Sequence, residues 1–494
     1  MNKIQVSVES ILMTFLFTIS VLGLKGENTN SSKIEVYTTT ADKSMLFKRK
    51  LISFDSKPTT SSGTILLNPT IKYQEMDGFG AALTGSSCYN LLQMNKGDRS
   101  KLLNDIFDPK TGLGYSYIRI SIGCSDFSLA EYTCCDKMGL ENFEIHAYDQ
   151  RDLLPILKEI LAINPKVKIM GSPWTAPRWM KINNLEDLKA YNSWTSGQLN
   201  PQYYRDYATY FVKYVLAMQH EGILIESITV QNEPLNRGNS VSMFMTWQEQ
   251  LNFIKNELGP QFKAANIKTK IILYDHNYDY DSTKVECKDQ TDYPLHILND
   301  PEAAQYISGT AWHAYSGDAS ELEKIHETYP EKGIFFTEMS IGEWSSPFAE
   351  DLMWSMKEVG LGTINRNCKA VIVWNLMLDE KNGPDRLGGC NTCYGSLRIN
   401  SLSYKPETID RLSHYYVIGH LSKVVLPGAF RIETTNNLNK KEIYYSAFLN
   451  PDNSYSVIVE NDSSEEQQIS ISSGSQFFTV SFLPKSINSI KWRN

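Results

Sequence analysis

Two acidic stretches hold residues whose type and position could do chemistry. In "ESITVQNEPLN" an alternating, β-branched run ends on Asn232, Glu233 and Pro234, and in "GIFFTEMS" a second run ends on Thr337 and Glu338. If both runs are strands whose ends open into one cavity, two carboxyl groups share it. Paired carboxyls across a cleft are what cleavage of a glycosidic bond needs: one held protonated to give the leaving oxygen a proton, one ionised to meet the oxocarbenium-like carbon. Burial is expected to raise the pKa of the first, and cationic or hydrogen-bonding neighbours to lower that of the second. Asn232, next to Glu233, could donate to a sugar 2-hydroxyl, and Pro234 would stop the strand and stiffen the turn behind the acid. Arg119, ending "YSYIR", is a candidate to pair with Glu338 and keep it ionised. Taken singly, a Glu near a strand end is more often a surface or salt-bridge residue, so the assignment depends on where the strands lie.

The strands recur with helical stretches between them. "MDGFGAAL" from Met76, "YSYIRISIG" from Tyr115, "KVKIMGSPW" from Lys166, "IESITVQNE" from Ile225, "KIILYDHN" from Lys270, "ISGTAWHAY" from Ile307, "GIFFTEMS" from Gly333 and "KAVIVWNLML" from Lys369 alternate with segments such as "RDLLPILKEILAI". Apolar, β-branched strands alternating with helices imply parallel β-α-β units, and eight units make a (β/α)8 TIM barrel, an α/β fold, over residues 74–424. A doubly wound open sheet would tend to show a Gly-rich phosphate turn after its first strand, and the sequence has none. In such a barrel the chemistry sits at the C-terminal ends of the strands. Glu233 then belongs to the fourth strand and Glu338 to the seventh, and one mouth receives both. From Pro427 the pattern changes to "EIYYSAFLN", "SYSVIVEND" and "FFTVSFLP" between polar turns. Residues 31–73 and 425–494 are expected to build one appended antiparallel β-sandwich from both chain ends.

Composition narrows the function classes. The chain has 494 residues, 41% of them hydrophobic, enough for one large domain and a smaller one. Its formal charge is -8 with no block of Lys or Arg, so a phosphate-tracking surface has nothing to be built from and nucleic acid is not an expected partner. Lys3 and the apolar run Ile11–Leu24 suit a signal peptide over 1–24, cleaved after Gly23 or retained as an anchor, and hence an exported protein. The eight cysteines fit such a protein; Cys390 and Cys393 in "GGCNTCYG" could be a loop disulfide, free thiols or part of a metal site. The eight histidines are scattered without an HExxH pair, so neither metal nor cofactor is called for.

"DGFGAALTGSS", "YSYIRISIGCSDFS", "GSPWTAPRWMK", "TVQNEPLN", "FFTEMS", "VIVWNLMLDEKNGP" and "YYVIGHLSKVVLPGAFRI" together resemble glycoside hydrolase family 30 of clan A, in the family's order, across roughly residues 65 to 432. The resemblance implies Glu233 as general acid/base, Glu338 as nucleophile, a covalent glycosyl-enzyme intermediate and net retention. It also implies a β-glucosyl unit held by Asp126, Trp174, Asn232 and Trp374. Asp126 can accept from two sugar hydroxyls and Trp374 can offer its face to the ring, whereas core packing competes as the reading of Trp174. For His313 and Tyr315, at the sixth strand end, hydrogen-bonding to the nucleophile or the substrate competes with plain structural use. The runs "QNEPLNRGNS" and "GPDRLGGCNTCYGS" look more like microbial β-1,6-glucanases than lysosomal glucosylceramidases, with xylan-cleaving members third. The expected partner is a β-linked glucan or other β-glucoside, with membrane contact only if the substrate is a glycolipid. A carbohydrate-binding protein on an inactive scaffold is the non-enzymatic alternative, and the presence of both carboxylates speaks against it.

Overall fold

The computed structural model describes residues 33–56, 63–344, 347–438 and 442–493; the expected leader over 1–24 lies outside them. Two bodies are built from interleaved parts of the chain. Strands β1 (Ile34–Thr40), β2 (Lys48–Ile52) and β3 (Gly63–Glu75) come first. The barrel strands follow: β4 (Gly78–Ala82), β5 (Tyr117–Ser121), β6 (Lys168–Ser172), β7 (Ser227–Thr229), β8 (Lys270–Asn277), β9 (Ile307–His313), β10 (Gly333–Glu338) and β11 (Cys368–Val373). The chain ends in β12 (Phe430–Asn436), β13 (Ile443–Leu449), β14 (Ser454–Asn461), β15 (Gln467–Ser473), β16 (Gln476–Phe482) and β17 (Ser486–Arg493).

Strands β4 to β11 pair in parallel and close on themselves, with Ala370 opposite Gly78 at the seam. Tyr117, Met170, Ile272, Ala311, Phe335, Ala370 and Ile372 form one apolar cluster of side chains from six of these strands, so the barrel is a packed core and not a pore. Closure leaves no room at Gly80, where a Cβ would lie 1.8 Å from the Tyr117 carbonyl oxygen. That approach explains the glycine in "DGFGAAL".

The other body is one nine-stranded sheet in the order β2-β1-β17-β14-β13-β12-β3-β15-β16. It curls over itself into a sandwich: Phe478 of β16 meets Trp492 of β17 at 4.9 Å between ring centroids, and the Asp55 N–H beyond β2 donates to the Phe477 carbonyl. The pairing departs from wholly antiparallel at one place, where β3 and β15 run parallel. These two strands come from opposite ends of the chain, and no hairpin dictates their relative direction.

A helix at Ser413–Val424 joins the bodies and is buried nearly all round, its polar Ser413, His414, His420 and Ser422 included. Its His420 is the fastening. Ser489 on β17 gives its hydroxyl proton to the His420 carbonyl, so its oxygen is free to accept from Nδ1–H at 2.8 Å. Nε2, left with a lone pair, accepts from the Thr39 hydroxyl of β1 at 2.8 Å. Every ring group is satisfied in the neutral tautomer, and burial holds the imidazole pKa down at about 3. Among the described residues no helix is long and apolar enough to cross a membrane.

An acid-stability test follows from His420. The unfolded imidazole takes a proton below its ordinary value of 6.5, whereas the folded ring refuses one until about 3, so stability is lost as pH falls through that window. Urea unfolding at several pH values between these limits is expected to show the wild type losing about 1.4 kcal/mol per pH unit more than His420→Gln. Parallel pH dependence in the two proteins would contradict the assignment.

Candidate active site

β7 stops at Thr229, and the chain runs on through Val230 and Gln231 before it reaches Asn232 and Glu233. The strand therefore ends before Pro234, and the proline does not stop it as the sequence suggested. What shapes the turn is the backbone: Glu233 sits at φ 43°, in the left-handed region, and its N–H donates to the Asp275 carbonyl at 2.9 Å. A non-glycine residue in that region costs about 1–3 kcal/mol, tolerated where surrounding contacts impose it. β10 delivers Thr337 and Glu338 directly at its end. Both glutamates are nearly buried, at 7% and 6% exposure, and one carboxylate oxygen of each lies within 4.8 Å of the other.

Arg119, the third residue of β5, joins the two sides. It is fully buried, and its guanidinium donates through Nη1 to Glu338 Oε2 (2.6 Å), through Nη2 to Asn232 Oδ1 (2.6 Å) and Asp275 Oδ2 (2.7 Å), and through Nε to Ser172 Oγ (3.1 Å). Trp174 and Trp374 lie over it at 4.9 and 5.5 Å, with their own ring centroids 5.2 Å apart. Asn232, expected as a donor to substrate, has its oxygen committed to Arg119.

Two polar groups in this wall lack a protein partner: Asp126 Oδ1 and Trp174 Nε1 are buried and unbonded. Orphaned buried groups are uncommon, and a sugar hydroxyl is a group that could satisfy them. Burial, reinforced by the Glu338 and Glu233 charges, pushes the Asp126 carboxyl well above the usual carboxylate range. A carboxyl shifted in that direction can donate to a sugar hydroxyl as well as accept from one. Trp174 belongs to an apolar cluster with Phe127, Val241 and Trp374, so packing and a free indole N–H coexist. Trp194, from the loop after β6, packs against the same cluster and under Arg178 at 4.4 Å.

The sixth-strand residues divide their tasks. Tyr315 donates from its hydroxyl to Glu338 Oε1 at 3.1 Å. His313 does not bond the nucleophile candidate, whose Oε2 is 4.0 Å away; it lies between Glu233 Oε1 (Nδ1, 3.3 Å) and Asp275 Oδ1 (Nε2, 3.0 Å). Asp275 itself was not singled out in the sequence, although "KIILYDHN" places it near a barrel strand's C-terminal end. Tyr274 and Asp275 have φ of 74° and 75°, with a shift of register between Tyr274 and His276. This bulge sets the Asp275 carboxylate beside Arg119, Thr229, Thr337 and His313. The run "LNRGNS" supplies two further unforeseen contacts: Asn236 and Asn239 donate to Glu233 Oε2 at 2.8 and 3.3 Å. Ser240 then donates to the Leu387 carbonyl, clasping this run to "GPDRLGGCNTCYGS". In that second run Cys390 and Cys393 are joined in a disulfide, and Cys393–Tyr394 pairs with Ile341–Gly342 just beyond Glu338. The other six cysteines are free and buried.

The two carboxyls are shifted in opposite directions. Burial alone raises both carboxyls. At Glu233 the His313 hydrogen bond, the His276 and His313 charges and the Asn236 amide outweigh it and hold the group at about 2. At Glu338, His313 and Arg119 pull down less than burial and the neighbouring carboxylates push up, so it lies above its ordinary value. His313 is raised to about 9: burial opposes the charge, but the Glu338, Asp275 and Glu233 carboxylates overcome it. Glu233, His313 and Glu338 are close enough for a cation, yet both imidazole nitrogens already face carboxylates and a guanidinium stands on Glu338, so the trio does not fit a metal.

Asp275→Asn is expected to lower stability by about 3 kcal/mol, as breaking one partner of a buried ion pair does, although both glutamates are untouched. Urea denaturation measures it, and a loss below about 1 kcal/mol would show that Glu338 alone suffices to hold Arg119.

Comparison with known proteins agrees with this construction. Residues 76–425 match the glycosyl hydrolase family 30 TIM-barrel domain, and residues 428–490 match the glycosyl hydrolase family 30 beta sandwich domain. The chain is 31% identical to endo-1,6-beta-D-glucanase BGN16.3 of Trichoderma harzianum, over 81% of this chain and 80% of that one. It is 27% identical to the lysosomal acid glucosylceramidase of Mus musculus, over 88% and 84%. The solved structure of the endo-beta1,6-glucanase BT3312 superposes with a TM-score of 0.90 at 51% identity, covering 94% of this chain and 99% of that one. With both of its bodies matched in order along the chain, the protein belongs to glycoside hydrolase family 30 and is a glycoside hydrolase.

Proposed function

We propose that this chain is a retaining endo-β-1,6-glucanase in which Glu338 is the nucleophile and Glu233 the general acid/base. The observation that carries the retaining assignment is the carboxylate separation. Oxygens within 4.8 Å of one another leave no room for a water to attack from the far side, and retaining enzymes hold their carboxyls about 5–5.5 Å apart against about 6.5–9.5 Å for inverting ones. Substrate class is supported by the 51% identity to BT3312 over nearly the whole chain.

In the first step Glu338 attacks the anomeric carbon, the glycosidic C–O bond breaks with its electron pair on the leaving oxygen, and Glu233 protonates that oxygen. A water deprotonated by Glu233 then displaces Glu338 and restores the anomeric configuration. Arg119 and Tyr315 aim the two Glu338 oxygens. Asp126, Trp174 and Asn232 hold the innermost sugar through their free polar atoms, with Trp374 beneath the ring. Export is part of the same reading, supported by the apolar run Ile11–Leu24 and by the disulfide at Cys390 and Cys393.

Glucosylceramide hydrolysis is the second reading, favoured by the glucosylceramidase relatives and by Leu387, 98% exposed on the loop clasped to "LNRGNS". Assaying a β-1,6-glucan beside glucosylceramide in detergent separates the two. The expected products are gentio-oligosaccharides of several lengths, first seen as β-anomers by NMR; activity on the glycolipid alone would reverse the ranking. Glu338→Gln is expected to lower kcat by at least about 10⁴-fold with the fold retained, and undiminished turnover would remove Glu338 from its role.

A further inference from the structure

The contacts around His313 determine how many protons it shares with Glu233. Asp275 Oδ1 faces the Thr337 hydroxyl (2.7 Å) and His313 Nε2 (3.0 Å), while Oδ2 faces the Thr229 hydroxyl and Arg119, each at 2.7 Å. A carboxylate among four donors is ionised, so His313 Nε2 carries a hydrogen and donates it. One proton remains for the 3.3 Å contact between Nδ1 and Glu233 Oε1. It makes the pair either imidazolium and carboxylate or imidazole and carboxylic acid. The Asn236 and Asn239 amides on Glu233 Oε2 favour the first, because an amide donor stabilises an anionic acceptor.

We propose that His313, oriented by Asp275, stores the proton that Glu233 delivers to the leaving oxygen and takes it back when the glycosyl group is released. This rests on Glu233 being the acid/base. As Glu338 forms its bond to the anomeric carbon, the N–H bond at Nδ1 breaks and an O–H bond forms on Glu233. The Glu233 O–H bond breaks in turn, its proton passing to the leaving oxygen that keeps the C–O electron pair. In the second half Glu233 takes a proton from the attacking water, the ester bond breaks with its pair returning to Glu338, and the proton moves back to Nδ1.

The driving term is charge. The Glu338 carboxylate, 4.0 Å from His313 Nε2, is the strongest of the charges that hold the imidazolium form, and its conversion to a neutral ester removes it. The other groups facing the pair change less. Asp275 stays ionised against Arg119, and burial pushes His276, 3.9 Å from Glu233 Oε1, below its ordinary value. Tyr315 approaches the imidazole edge-on at 6.2 Å with its hydroxyl on Glu338, and burial pushes the Asp126 carboxyl well above its ordinary value.

The test uses leaving groups and spectroscopy together. His313→Gln keeps a hydrogen-bonding side chain that cannot carry the proton. On an unactivated gentio-oligosaccharide its glycosylation rate is expected about 100-fold lower than wild type or more, and on a 2,4-dinitrophenyl β-gentiobioside, whose departure needs no acid, the loss is expected to be at least about tenfold smaller. The alkaline limb of kcat/KM on the unactivated substrate is expected to move down by about two pH units, since Glu233 must then hold its own proton. Equal losses on both substrates with an unmoved limb would reduce His313 to a structural residue. In wild type, ¹⁵N-histidine NMR is expected to show the His313 ring doubly protonated in the free enzyme and neutral once a 2-deoxy-2-fluoroglucosyl group is trapped on Glu338; an unchanged ring would overturn the proposal even if the variant failed to fold. Glu233→Ala turnover of the activated substrate, restored by azide, supports the acid/base role independently. Without that rescue, the proposal falls together with the reading beneath it.

Discussion

One buried cation organises the mouth of the barrel. Arg119 has no solvent, so its guanidinium would be prohibitively unstable there without hydrogen-bond acceptors and matching charge. Asp275, Glu338, Asn232 and Ser172 provide the partners, on four different strands or strand exits, and two indole faces cover the rest. Satisfying this one side chain fixes the relative positions of β5, β6, the turn after β7, β8 and β10. The same contacts aim Glu338.

Charge balance then extends outward. Asp275, Glu338 and Glu233 bring three negative charges against one on Arg119, and His313 is drawn into its cationic form by the difference. Glu233 and His313 share one proton, and the charge on Glu338 decides which of them holds it. The left-handed turn at Glu233 and the bulge at Asp275 are the backbone distortions that permit this arrangement. Both are affordable because the surrounding barrel is closed and the junction helix locks it against the sandwich through His420.

Much of the architecture was legible because it is local. β-branched runs and helical stretches repeat along the chain, and each run marks its own strand whatever its neighbours do. The β-sandwich was legible for the same reason, but the parallel pairing of β3 and β15 was not, since direction between distant strands is a property of the assembled sheet. Glu233 and Glu338 stood out because a carboxyl at a barrel strand's end is in the right place by topology alone. Asp275 answers to the same rule but reads as one more residue of a buried strand, and its bulge leaves no mark in the order of residue types.

The sequence by itself therefore determined the two bodies, the order of the barrel strands and the pair of acids at its mouth, all set by periodicity and by position along a strand. Only the tertiary structure decided which groups those acids touch. Asn236 and Asn239 on Glu233, His313 between Glu233 and Asp275, and Arg119 shared by Asp275 and Glu338 are contacts between separate strand exits. Their distances come from closing the barrel, and electrostatic coupling depends on those distances. The lowered value at Glu233 and the raised one at Glu338 are consequences of that closure.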